Sequence, residues 1–226
     1  MTLEVLLAHY QKIWKDYESS LFPEILKRGF LFQFDGLDDR PDILFIGINP
    51  SFDKTKADLR QSYKGEDVLH LPYFKAFESI KSALESKPYK NENITWAHLD
   101  LLVFRETNQK FVNKLMKKEN KGGLEFIVEQ LKIAKELIKH INPKVIVVSN
   151  AMARRLMGKD KDDNGNNAWM DYHFEFDKKV GADKIKDEGV LSGTPVFFSS
   201  MLSGQRALDN GSKERLIWHI NRALDE

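Results

Sequence analysis

No cysteine occurs anywhere in the 226 residues. That excludes disulfides, thiolate zinc sites, iron–sulfur clusters on cysteine ligands and cysteine nucleophiles. Long apolar runs are missing as well: no uncharged stretch approaches the roughly 20 residues needed to span a bilayer. The opening Met1-Thr2-Leu3-Glu4-Val5 has none of the parts of a signal peptide, neither basic segment, apolar core nor small-residue cleavage site. A cytoplasmic protein is therefore expected. Charge of one sign is also lacking. With 35 basic and 34 acidic side chains the formal net charge is +1, whereas strong non-specific nucleic-acid binders are basic because phosphate contacts drive their affinity. A local basic patch remains compatible with that balance.

What is present is ordinary globular composition, 42% hydrophobic, 11% aromatic and 31% charged. One domain of this length buries about 70–75% of its unfolded surface and needs no staples. Leu3, Leu6, Leu7, Tyr10, Trp14 and Tyr17 recur at helical spacing, with Thr2 placed to cap them. After Pro41-Asp42 comes Ile43-Leu44-Phe45-Ile46, closed by Gly47, which suits a strand buried on both faces. Residues 51–70 are polar without a period, as in a functional loop. Pro72 opens a helix carrying Phe74, Phe77, Ile80, Ala83 and Leu84, and a second strand is expected over about 95–104.

The strongest helical stripe is Leu124, Ile127, Val128, Leu131, Ala134, Leu137 and Ile138, stopped by Asn142-Pro143. Lys144 to Val148 then reads as a strand, 150–157 as a short helix, and 158–167 as a charged surface loop. Tyr172, Phe174 and Phe176 alternate like a peripheral strand; Thr194 to Phe198 is a further strand and Ser212 to Leu224 a final helix. Strands alternating with helices, without repeat or linker, predict one α/β domain with a mainly parallel sheet covered on both faces. Ligands of such sheets bind at the carboxyl ends of the strands. Attention goes to Asn49, the Arg105 region, Ser149-Asn150 and 199–203.

In Gly47-Ile48-Asn49-Pro50-Ser51, Gly permits close backbone approach and Pro fixes the turn. Asn49 offers an acceptor and a donor that can hold a water molecule or a base edge; the alternative is a strand-ending turn with a self-bonded Asn. In Phe198-Ser199-Ser200-Met201-Leu202-Ser203-Gly204-Gln205-Arg206, three hydroxyls and a Gly suit phosphate contacts. Met201 and Leu202 suit wedges that prise open a base step, or plugs beneath the loop. Arg105 and Glu106 fit an ion pair at a strand end. The histidines, among them His98, His140, His173 and His219, show no metal-ligand spacing and receive no chemical role.

These stretches, with Pro143-Lys144-Val145-Ile146-Val147-Val148 and the alanine-spaced segment after it, resemble the uracil-DNA glycosylase superfamily from roughly Asp42 to the C-terminus. Gly47, Asn49 and Pro50 match its first motif; Ser200, Leu202 and Ser203 match its second. The resemblance implies a three-layer α/β/α sandwich over residues 1–226, with 1–40 as a helical extension packed on it. It also implies a monomer that hydrolyses the N-glycosidic bond of uracil or another damaged base flipped out of DNA, with no cofactor and no metal. Asn49 would position the attacking water, Asp53 would serve as a base, and Asp100 would stand where an Asn reads the base edge. Gly47, Ile48, Pro50 and Ser51 would frame the base, with Phe77 or another aromatic stacking on it. Ser199, Ser200, Ser203 and Gly204 would hold flanking phosphates, and Leu202 would fill the vacated stack.

Two departures accompany the matches. Phe198 stands where many members place His or Asn, and Asn49 replaces the carboxylate of the most active branch. Each implies slow catalysis, an altered substrate or none. The alternatives are a non-catalytic nucleic-acid or nucleotide binder of the same fold, and an α/β enzyme acting on a small nucleoside.

Overall fold

A computed structural model of the chain describes residues 1–19, 22–35, 40–52, 60–117, 120–160 and 169–225. Within them the elements follow as α1 (Leu3–Asp16), α2 (Pro23–Lys27), β1 (Phe32–Gln33), β2 (Ile43–Gly47), β3 (Ser62–Tyr63), α3 (Gly65–Val68), α4 (Pro72–Glu85) and β4 (Trp96–Asp100). They continue with α5 (Gln109–Leu115), α6 (Lys121–Ile141), β5 (Val145–Ser149), α7 (Ala151–Met157), β6 (Phe174–Asp177), β7 (Ala182–Ile185), β8 (Pro195–Ser199) and α8 (Asn210–Leu224). The fold is α/β, and the main sheet has six strands in the order β4-β2-β5-β8-β7-β6. The first four run parallel, β7 runs antiparallel to β8 and β6 antiparallel to β7, so the sheet is mixed. The alternating aromatics near 172–176 belong to that hairpin edge.

Every residue of β2 and β5 is buried. Because side chains alternate across a strand, Leu44, Ile46, Ile146 and Val148 join one apolar cluster, and Ile43, Phe45, Val145 and Val147 join another. The first cluster takes its helical members from α1, α2, α5, α6 and α7, the second from α3, α4 and α8. This is why the sequence of these strands is continuously apolar rather than alternating. Fully burying each such side chain contributes roughly 1.5–3 kcal/mol.

The N-terminal helix begins where expected: the Thr2 hydroxyl accepts from Val5 N–H at 3.4 Å. It buries Leu6, Tyr10 and Ile13, and Trp14 meets Phe126 of α6 edge-on at 5.2 Å. At the other end of α6, Asn142 takes a left-handed conformation and ends the helix ahead of Pro143.

The expected strand over 95–104 is shorter. β4 leaves the ladder after Asp100, and 101–104 runs on as buried irregular chain. Its backbone is satisfied elsewhere, which buried N–H groups require. Leu101 and Leu102 donate to the Gly47 and Ile48 carbonyls, Val103 donates to Gln130 Oε1 at 2.9 Å, and the Val103 carbonyl receives Leu31 N–H. Gln130, a fully buried polar residue on an apolar helix face, is there to serve this segment. Among the described residues no helix is long and apolar enough to cross a membrane.

Candidate functional site

The strand order sets the location. From β2 the chain crosses to β4 on one side, then returns past β2 to β5 on the other, so the order of winding reverses between the parallel strands β2 and β5. At such a switch point the loops leave in opposite directions and open a crevice at the carboxyl ends of the strands. A cavity of about 460 Å³ lies there, within the ordinary size of a small-molecule site. It takes Gly47 to Ser51 from the end of β2, Asp100 from β4, Ser149 and Asn150 from β5, and Met201 and Leu202 from the loop after β8.

Asn49 is held by its amide. Nδ2 donates to the carbonyls of Glu106 at 2.6 Å, Pro50 at 3.0 Å and Phe104 at 3.4 Å. All three partners are acceptors, which orients the amide with its nitrogen toward the 104–106 loop. The side chain thus ties the β2 turn to the loop after β4, and Oδ1 is the atom left for a ligand. Glu106 N–H donates to Pro50 O at 3.0 Å and strengthens the same tie.

Behind Gly47 lies a polar cluster. A Cβ at Gly47 would collide with Asp100 Oδ1 and stand 2.9 Å from the Tyr73 hydroxyl and 3.2 Å from His98 Nε2. Here glycine is required by close approach, not by backbone conformation. His98 is 1% exposed, with Nδ1 2.9 Å from the Tyr63 hydroxyl and Nε2 3.3 Å from that of Tyr73. Phe77 stacks on the imidazole at 5.5 Å and Phe74 meets it edge-on. Burial pushes His98 down to about 3 and raises both tyrosines, so the ring and the two phenols are neutral at pH 7. With the Tyr63 hydroxyl donating a hydrogen bond to Nδ1, Nε2 carries the ring's hydrogen, on the side of Tyr73 and Asp100.

Asp100 faces this neutral wall. Its Oδ1 is 3.7 Å from His98 Nε2, and burial pushes its carboxyl up to about 8. At pH 7 it is mostly a neutral acid. Glu106, lining the same cavity, is the opposite case. Burial acts to raise it, but hydrogen bonds from Asn108 N–H and Arg28 outweigh that and hold its carboxyl below the usual range. Arg28 reaches Glu106 Oε2 at 2.7 Å and lies over the Phe52 ring. The ion pair expected between Arg105 and Glu106 is therefore replaced by Arg28–Glu106, and the Arg105 guanidinium donates instead to the Arg60 carbonyl.

The cavity gathers some of the expected residues and separates others. Gly47, Ile48, Asn49, Pro50, Ser51, Asp100 and Leu202 line it. Ser199 and Ser200 line a neighbouring cavity of about 440 Å³ with Phe198, and Ser203 and Gly204 line neither. Asp53 lies outside the described residues. So the loop after β8 gives the cavity Met201 and Leu202 rather than its serine hydroxyls. Phe198 packs edge-on against Phe174 at 5.1 Å.

Phe77 is fully buried between Phe45 and His98 and does not reach the cavity, where Tyr63, Tyr73 and Phe74 supply the aromatic surface. His98, Tyr63 and Tyr73 escape sequence reading because only the fold joins them. The one sequence signal is the period-2 placement of His98 and Asp100 on the same face of β4.

No known protein family and no curated protein matches the chain. Among the described residues no three His, Asp or Glu side chains are grouped to hold a metal ion.

Proposed function

We propose that the chain is a three-layer α/β/α protein of the uracil-DNA glycosylase type that hydrolyses the N-glycosidic bond of a base flipped out of DNA. The observation that carries the reading is the cavity at the switch point, where the Asn49 turn meets Leu202 from a loop some 150 positions later in the chain. A base buried in a duplex must be extruded at a cost of a few kcal/mol. Leu202, half-buried at the cavity edge, suits the space the base leaves behind. Tyr73 and Phe74 offer aromatic surface to a planar ring, and Asp100 offers polar contact to its edge. Asn49 Oδ1 accepts a hydrogen bond from the attacking water and aims its oxygen at the sugar carbon. An amide is no general base, so the acceleration of ~10²–10⁴-fold from that source is absent at Asn49.

Ser200, exposed on the loop after β8 and off the cavity, suits a phosphate flanking the extruded nucleotide. A second reading, hydrolysis of a free nucleoside, draws support from the near-neutral charge and from the apolar Met201–Leu202 wall. Oligonucleotides carrying one uracil or another altered base, single- or double-stranded, are incubated with the full chain and then cleaved with alkali at abasic sites. Strand breaks at the altered base are expected. Release of base from free nucleosides with none from oligonucleotides would transfer the assignment to the second reading.

A further inference from the structure

The Asp100 carboxyl has an unusual position for an acid: among the described residues nothing is within hydrogen-bond distance of either oxygen. Its side chain is 10% exposed, and that exposure is to the cavity. The groups facing it are His98 from its own strand, Tyr73 from α4 and Tyr63 from β3, none carrying a charge at pH 7. Gly47 of β2 has no side chain to intervene. Arg60 and Glu106 line the same cavity, and Glu106 is engaged by Arg28. A carboxyl so placed has one proton to give, and a ligand entering the cavity would receive it.

Resting on the glycosidic reading above, we propose that Asp100 is the general acid that protonates the departing base. The C–N bond breaks with its electron pair leaving on the base. The Asp100 O–H bond breaks as an N–H or O–H bond forms on that base. Water adds its oxygen to the sugar carbon and releases its proton to solvent, and the Asp100 carboxylate recovers a proton from solvent before the next turnover. An acid in this position extends the substrate class to bases that leave poorly as anions, because they depart neutral. An amide at the same position reads a base edge but supplies no proton. The raised affinity of the carboxyl for its proton, caused by burial, suits this use near neutral pH.

The test uses the full wild-type chain and Asp100→Asn on oligonucleotides carrying uracil or 5-fluorouracil, whose anion leaves more readily. Proton donation makes the variant lose ~10²–10⁴-fold in kcat on uracil, far less on 5-fluorouracil, with KM changed little on either. The wild-type rate on uracil falls as pH rises through about 8, and the variant lacks that fall. Equal losses on the two bases reduce Asp100 to reading the edge and overturn this inference alone. Release of neither base by the wild-type chain overturns it together with the glycosidic reading.

Discussion

The carboxyl of Asp100 occupies the space that a side chain at Gly47 would need, so two neighbouring parallel strands meet at the cavity through one absent Cβ. The hydrogen at Gly47 lets the acid, the Tyr73 hydroxyl and the His98 ring share one corner. Gly47→Ala is expected to lower stability by about 1–3 kcal/mol, the usual cost of overpacking. Asp100→Gly in the same chain should relieve part of it, since Tyr73 and His98 still crowd the site. Denaturant melts of the two single variants and the double variant measure the coupling. Strictly additive losses would contradict the contact.

Stability should also carry a pH signature. The folded chain raises Asp100 from 3.8 to about 8, so it keeps a proton that the unfolded chain has lost, and stability falls as pH rises between those values. His98 is depressed from 6.5 to about 3, so stability falls as pH drops through that window. The two slopes, each up to ~1.4 kcal/mol per pH unit, cancel between 3.8 and 6.5. Only Asp100 acts between 6.5 and 8. Melting curves across that upper window should show a decline that Asp100→Asn removes. A decline that survives the substitution places its origin elsewhere.

Asn49→Asp would install the carboxylate of the most active branch of the resembled superfamily, yet here it should do harm. The carbonyls of Pro50, Phe104 and Glu106 need a donor, and a carboxylate only accepts. A loss of roughly 1–3 kcal/mol is expected from the unsatisfied groups, with no gain in base release. Thermal melts and single-turnover assays decide it. A variant as stable as the parent would show that the tie is dispensable.

Leu202→Ala removes half-buried apolar surface at the cavity edge. Stability should drop by less than about 2 kcal/mol, under the usual cost of emptying a core site. Base release from duplex should fall more than release from single strands, because only the duplex has a stack to fill. Equal losses on both substrates would reassign Leu202 to packing.

Arg28→Met leaves the Glu106 carboxylate, 11% exposed at its side chain, without its cation. Breaking a buried pair from one side costs about 3–5 kcal/mol; the part-exposed position brings the expected loss to the lower end. Arg28→Met with Glu106→Gln should recover much of it. Chemical denaturation of both variants checks this, and an unchanged midpoint for Arg28→Met would deny the pair any structural weight.

Much of the fold is readable along the chain because it is local. The stripe from Leu124 to Ile138 has one period and lies within α6; Ile43 to Ile46 and Val145 to Val148 are apolar on both faces and lie in central strands. Residues 101–104 mislead because they are as apolar as a strand. What takes them out of the ladder is Gln130 and the backbone near Phe30, both remote in sequence. The β6–β7 hairpin shows only as a weak alternation, since β6 is exposed or half-buried at the sheet edge and carries little apolar signal.

The amino-acid order by itself determined the α/β alternation, the helix ends at Thr2 and Asn142, and the Gly47–Asn49–Pro50 turn after a buried strand. The alternation and the helix ends rest on interactions between residues a few positions apart, and the turn is marked by its own Gly and Pro although Phe104 and Glu106 hold it. Tertiary structure alone decided that Met201 and Leu202, not the serines beside them, line the cavity with Asn49. It also decided that His98, Tyr63 and Tyr73 surround Asp100. Protonation followed from that placement: burial raises the carboxyl's hold on its proton, and no short stretch of sequence records which residues will be buried together.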